Sequence, residues 1–185
     1  MIIYIHGFGS SGEGMKAKIL KEKLKDENFI APSLSYVPEL AIQTLKELIT
    51  AFSKTEKVYL IGSSLGGYYS IYLADFFNIP AVLINPSTKP TITLRKVLGS
   101  PTNFYDGARY EWNENHLEML KKFEVTDIKP ELYMLLTQKG DETLDYKEAV
   151  NKLEGCKQFI EDGGNHSFEN IQEHTQNIRD FFHNK

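Results

Sequence analysis

Gly62-Ser63-Ser64-Leu65-Gly66 fits the pattern G-x-S-x-G, and its surroundings decide what the pattern means. An apolar segment, Lys57 to Ile61, runs into it, and Gly67-Tyr68-Tyr69-Ser70-Ile71-Tyr72-Leu73-Ala74 runs out of it without a loop. A serine at such a strand-to-helix bend is a nucleophile elbow, with its hydroxyl held above the sheet. In so tight a bend the residues two before and two after the serine approach each other, a demand that Gly62 and Gly66 meet. Backbone strain of this kind costs roughly 1–3 kcal/mol and survives only where strand and helix enforce it. The helix that follows aims its N-terminal amides and positive dipole end at the serine, where an anionic intermediate would form. The pentapeptide alone also occurs as an ordinary serine-glycine turn; the flanking strand and helix make Ser64 the expected nucleophile.

A serine hydroxyl needs a base, and the base needs an orienting acid. His166 stands in the glycine-flanked loop Glu161-Asp162-Gly163-Gly164-Asn165-His166-Ser167-Phe168. Asp141 and Asp145 follow the strand expected over 131–137, and Asp162 shares the histidine loop. Ser64, Asp141 and His166 occur in the order serine, acid, histidine that goes with this kind of elbow. Histidine, ordinarily titrating near 6.5, would take the serine proton and return it to the leaving group, and the aspartate would hold the imidazole tautomer. Asp141 is favoured over Asp145 because it lies nearest the strand end, with Gly140 allowing the turn; Asp162 is the remote third candidate. His174, beside the last helix face, and His183, at the terminus, read as structural or solvated.

The loop His6-Gly7-Phe8-Gly9-Ser10-Ser11-Gly12 admits two readings. Gly7, Gly9 and Gly12 match the glycine pattern of a dinucleotide site, but the strand expected over 29–34 ends in Ser-Tyr-Val-Pro and lacks the acid that would hold a ribose. The alternative is a His-Gly loop that supplies half of an oxyanion hole, with the N–H groups of Phe8 and Leu65 as donors. Each such donor lowers the barrier by roughly 2.7–4 kcal/mol. His6 then fixes the loop.

These residues need a parallel sheet to bring them together. Ile2 to Ile5 reads as a strand, 15–28 as a helix, and Pro38 opens another helix whose Ala41, Leu45, Leu48, Ile49 and Phe52 form one apolar stripe. Lys57 to Ile61 and Ala81 to Ile84 are unbroken apolar runs, as expected of strands covered on both faces, and the crossover lengths require parallel pairing. The repeat then lapses over 86–130, a stretch with Phe104, Tyr105, Tyr110 and Trp112 and a helix expected over 113–123. A long insertion in a compact domain is usually functional, so a cap or lid over the pocket is one expectation and a self-contained aromatic excursion the other. Arg95, Trp112 and His116 are its candidate substrate contacts. A helix over 146–153, a strand over 157–160 and a last helix carrying Phe168, Ile171, Thr175, Ile178 and Phe181 on one face complete the pattern. The expectation is a single domain over 1–185 of the α/β class: a mostly parallel sheet of about six strands with helices on both faces.

With 185 residues, 41% of them hydrophobic, the chain can bury one sizeable core. A net charge of -4 gives no basic surface for nucleic acid or anionic lipid. The lysines between Met15 and Lys25 are interrupted by Glu22 and read as a solvated helix face. Cys156 is the single cysteine, which leaves no internal disulfide or cysteine-based zinc site and suits a reducing compartment. The five histidines lack metal-ligand spacing such as H-E-x-x-H. No cofactor is called for. No signal-peptide pattern precedes the first strand and no apolar run is long enough to cross a bilayer, so a cytoplasmic location is expected.

Over nearly its whole length the chain resembles the YqiA-like esterases, small bacterial α/β-hydrolases. The resemblance rests on YIHGFGSS at the start, LIGSSLGGYYS around Ser64, PAVLINPS after the fourth strand, GDETLDY, and EDGGNHSF around His166. It implies a reduced α/β-hydrolase sheet lacking the first two strands of the full fold, esterase activity on small-molecule acyl esters or thioesters, and a triad of Ser64, Asp141 and His166. Acyl transfer to an acceptor other than water would use the same residues. A binding module that keeps the fold without the chemistry is the contrasting class.

Overall fold

The computed structural model describes residues 1–184. Strand β1, Ile2–Ile5, leads through the glycine loop to α1, Met15–Lys23, and then to the two-residue strand β2, Phe29–Ile30. Helix α2, Pro38–Phe52, begins with proline at its first position, where no intrahelical N–H is needed. Strand β3, Tyr59–Ser63, passes directly into α3, Leu65–Phe77, and β4, Ala81–Ile84, follows.

Between β4 and β5 the chain forms α4, Pro90–Thr93, a 3-10 turn at Leu94–Val97, two isolated antiparallel bridges (Gly99 with Trp112, Thr102 with Arg109), and α5, Glu114–Lys121. After a 3-10 turn at Pro130–Leu132 come β5, Tyr133–Gln138, α6, Tyr146–Lys152, and β6, Lys157–Glu161. A 3-10 turn, Ile171–His174, leads into α7, Thr175–His183.

All six strands pair in parallel in the order β2-β1-β3-β4-β5-β6. Alternate strand residues feed two cores. Ile3, Ile5, Leu60, Leu83 and Leu135 pack with α2, α3, α5 and Trp112 on one face. Ile2, Tyr4, Ile61, Val82, Ile84, Met134 and Leu136 pack with α1 and α7 on the other. The order reverses at β1 and β3, and in an open parallel sheet the crevice at the carboxyl ends of such strands is where ligands bind.

Several boundaries differ from those expected of the sequence, for reasons of packing. The second strand keeps two residues because Ala31 onward leaves the sheet to cross the β1 loop, where the Leu34 N–H donates to His6. Residues 24–28 turn back toward β1, the Asn28 carbonyl accepting from Ile2, so α1 ends at Lys23. The last helix also starts later. Phe168 and Asn170 lie at positive φ, so Phe168 joins the core from a loop, ahead of the helix face proposed for it. Among the described residues no helix is long and apolar enough to cross a membrane.

Candidate active site

Ser64 stands at the junction of β3 and α3 with φ 54° and ψ -120°, a conformation that a non-glycine residue holds only under constraint. The constraint is visible. Its N–H donates to the Ile84 carbonyl at 3.1 Å, and its own carbonyl accepts from Gly67 at 2.9 Å and Ser87 at 3.0 Å. The two glycines of the bend are sterically required: a Cβ at Gly62 would overlap the Gly66 carbonyl, and one at Gly66 would overlap the Ile5 carbonyl.

His166 Nε2 lies 3.0 Å from Ser64 Oγ, and its Nδ1 lies 2.8 Å from Asp141 Oδ2. With Nδ1 protonated and donating to the aspartate, Nε2 is left as acceptor for the serine hydroxyl. The Asp141 side chain is 2% exposed and that of His166 23%, so the pair sits at the wall of the cleft with the imidazole edge reachable. Burial would raise the Asp141 carboxyl, but hydrogen bonds from His166 and from the Leu144 and Thr143 amides outweigh it and hold the group below the ordinary carboxylate range. The other acids have different partners. Asp145 caps α6 by accepting from the Lys147 amide at 3.0 Å, and Asp162, 90% exposed, pairs with Lys139.

Two buried amides that the sequence reading passed over hold the histidine loop. Asn85, just past β4 at φ 39°, donates to the carbonyls of Asn165 at 2.9 Å and His166 at 3.2 Å, while its Oδ1 accepts from the Gln138 amide and the Thr137 hydroxyl. Gln138, at the end of β5, accepts from the amides of Asn165 and Glu169 and donates to the Glu169 carbonyl and to Glu161. The Glu142 carboxylate accepts from the His166 amide at 3.0 Å. Asn85, Gln138 and Glu142 thus hold the backbone of the loop that carries the imidazole. The only hint in the sequence is that polar residues follow two apolar strands.

Gly7 lies against the nucleophile: a Cβ there would come within 3.1 Å of Ser64 Cβ. His6, buried beneath it, donates from Nδ1 to the Gly7 carbonyl at 2.8 Å and accepts at Nε2 from the Leu34 amide, which places the loop as expected of a loop-fixing residue. Burial lowers its pKa and keeps it neutral. Gly12 is occupied in packing, since a Cβ would fall on the Ala31 carbonyl. Beside the elbow opens a cavity of about 270 Å³ whose walls include Phe8, Leu34, Tyr36, Leu65, Tyr69 and Tyr110.

The insertion contributes Asn103 and Tyr110 to that cavity, and none of the three contacts suggested from the sequence. Arg95 pairs with Glu114; Trp112, 1% exposed, donates to the Leu94 carbonyl; His116 accepts from the Asn113 amide in a capping box and stacks on Trp112 at 4.9 Å. Trp112, Leu117 and Leu120 belong to the main core, so the segment is welded to the domain. One lysine also departs from the solvated face assigned to it. Lys16 turns inward and donates to Ser63 Oγ at 2.6 Å.

Sheet order, elbow and loop placement define the α/β-hydrolase fold, and solved structures share it. A putative hydrolase from Agrobacterium vitis superposes with TM-score 0.79 at 18% identity, over 98% of this chain and 87% of that one. Est1E from Butyrivibrio proteoclasticus with ferulic acid bound gives 0.77 at 15% identity, over 100% and 89%. Mouse alpha/beta hydrolase domain-containing protein 10 gives 0.74 at 18%, over 99% and 89%. Within that fold the chain belongs to the family described as "Uncharacterised protein family (UPF0227)", which it matches over residues 1–183, as the YqiA-like resemblance implied. A UPF0227 protein of Vibrio cholerae is 26% identical over 186 residues, covering 98% of both chains, and one of Pectobacterium carotovorum is 25% identical with the same coverage.

Proposed function

We propose that this protein is a serine hydrolase that cleaves carboxylic esters or acyl thioesters of small molecules through an acyl-enzyme on Ser64. The observation that carries the reading is the continuous relay from Ser64 Oγ to His166 Nε2 at 3.0 Å and from His166 Nδ1 to Asp141 at 2.8 Å. In this mechanism His166 takes the hydroxyl proton as Ser64 attacks the acyl carbon, then gives it to the departing alcohol or thiol. Asp141 stays ionised and stabilises the imidazolium. The N–H of Leu65, the first residue of α3 and so without an intrahelical acceptor, and that of Phe8 bind the oxyanion. Water, activated by the same imidazole, then releases the acid.

In this reading 86–130 serves as a cap, closing the acyl pocket with Tyr110 and Asn103, and the enzyme works in the cytoplasm. Esterases among the structural neighbours, including one bound to ferulic acid, support the reaction class. The test is labelling with a fluorophosphonate followed by peptide mapping. An adduct at Ser64, with turnover of a p-nitrophenyl ester, is the expected result; a folded protein that takes no label would point to a binding module. A screen of oxygen esters against coenzyme A thioesters, with and without added nucleophilic acceptors, separates esterase, thioesterase and acyltransferase.

A further inference from the structure

Among the described residues, Lys16 is a partly buried cation beside the elbow that the proposed chemistry leaves idle. It projects from the first turn of α1 under the carboxyl edge of the sheet, and its Nζ donates to the hydroxyl of Ser63, the residue before the nucleophile. The hydrogen-bonding partner that the structure shows is neutral. Tyr4, from β1, also bonds to Ser63, and burial pushes its hydroxyl well above the ordinary tyrosine range, so it supplies no negative charge. Asp141 is the carboxylate whose field reaches the ammonium. The Ile171–His174 turn packs on α1 from the other side, but its His174 is already paired with Glu161 at 2.7 Å, and Glu173 is exposed. Lys18, on the same helix, points outward to Glu13.

A buried ammonium bonded to a neutral hydroxyl is a cost in stability that a methionine or leucine would avoid, and such costs tend to sit where function uses them. Ser63 is 4% exposed and does not line the cavity, so the pair is not a second nucleophile and base. What the ammonium does reach is the electrostatics of the relay.

We propose that Lys16 is a positioning residue that sets the pH range of the Ser64 site: its charge, held behind the nucleophile on Ser63, opposes protonation of the His166–Asp141 pair and keeps the base free at lower pH. Desolvation by the surrounding core lowers the lysine itself to about 8, so the charge is present through neutral pH and withdrawn above it. The same contact ties the start of α1, and with it the loop bearing Phe8, to the end of β3.

This inference rests on the serine-hydrolase reading, and two measurements keep them apart. The first needs no turnover: in protein labelled with carbon-13 lysine, one side-chain signal should titrate near 8 and vanish in both Lys16→Met and Lys16→Arg. A Lys16 signal titrating with the surface lysines would show the ammonium solvated and its field screened by water, and would overturn the proposal even if Ser64 is active. The second is the pH profile of kcat/KM. Lys16→Met should move the acid limb up by about half a unit, because a cation that opposed imidazole protonation is gone, and Lys16→Arg, which keeps the charge, should leave the limb in place. A lower rate with an unmoved acid limb in Lys16→Met would make the lysine merely structural and sink the idea. A fluorophosphonate adduct on Ser63 would do the same. Loss of all labelling in the wild type would instead remove the hydrolase reading, while the lysine titration would still stand as measured.

Discussion

At the scale of single residues, two aspartates four positions apart have different partners. Asp141 touches the imidazole, and Asp145 closes the first turn of α6. Asp141→Asn should therefore lower kcat by about 10⁴, because an amide favours the wrong tautomer of the histidine. Asp145→Asn should leave turnover nearly unchanged, since asparagine caps a helix as well as aspartate does. Steady-state kinetics on one ester decides between them, and a mild Asp141→Asn would remove the acid from the mechanism. Ser64→Ala should cost roughly four to six orders of magnitude, as loss of a triad serine does. Stability follows with a sign of its own. The Asp141 carboxyl is held below its ordinary value of 3.8, so the stability it contributes is present above that pH and lost as pH falls through the lower folded value. Acid titration of the unfolding midpoint should show the wild type and Asp141→Asn converging only below pH 3.8.

At the scale of elements, the histidine loop is held by what the strand ends offer it. Gln138 makes four bonds across β5, β6 and the loop, to Asn165, to Glu161 and twice to Glu169. Gln138→Leu removes those bonds, at about 1–3 kcal/mol for each that water does not replace. The expected outcome is a lower denaturant midpoint together with a ten- to hundredfold slower reaction of Ser64 with a fluorophosphonate, roughly the effect of misplacing the base by an ångström. Equal labelling rates would show that the loop holds its geometry without the amide. The elbow is less forgiving. Gly66→Ala drives a methyl into the Ile5 carbonyl of the neighbouring strand, where backbone cannot give way, and should destabilise the fold by about 3 kcal/mol. A thermal melt measures it.

For the molecule as a whole, the reversal of strand order at β1 and β3 places the glycine loop and the elbow side by side, and the insertion after β4 returns to wall the cavity between them. Its volume of about 270 Å³ falls at the small end of ligand pockets. Tyr36 stacks on Tyr110 at 4.8 Å, and Phe8 meets Trp112 at 4.8 Å, so the far wall is aromatic and braced by the core. On the proposed hydrolase reading, such a site favours compact acyl groups. In a p-nitrophenyl ester series, kcat/KM should be highest for short chains and about tenfold or more lower for palmitate. A profile rising steadily with chain length would show that the insertion moves aside to admit long chains.

Local chemistry alone determined much of this protein. The elbow needs glycines at fixed offsets, strands buried on both faces must be continuously apolar, and crossovers of helical length can only link parallel strands; each demand is written in neighbouring residues and was legible there. So was the loop role of His6, through its position after the first strand. The preference for Asp141 over Asp145 was legible too, in its place nearest the strand end. Asn85 and Gln138 as clamps on the histidine loop, Tyr110 rather than Arg95 or His116 at the cavity, and Lys16 turned inward among lysines that face water were decided only by the tertiary structure. These depend on which groups from separate strands and loops meet at one sheet edge, a matter of register and packing between segments up to a hundred residues apart, and no spacing along the chain encodes which of several like side chains will be the one enclosed.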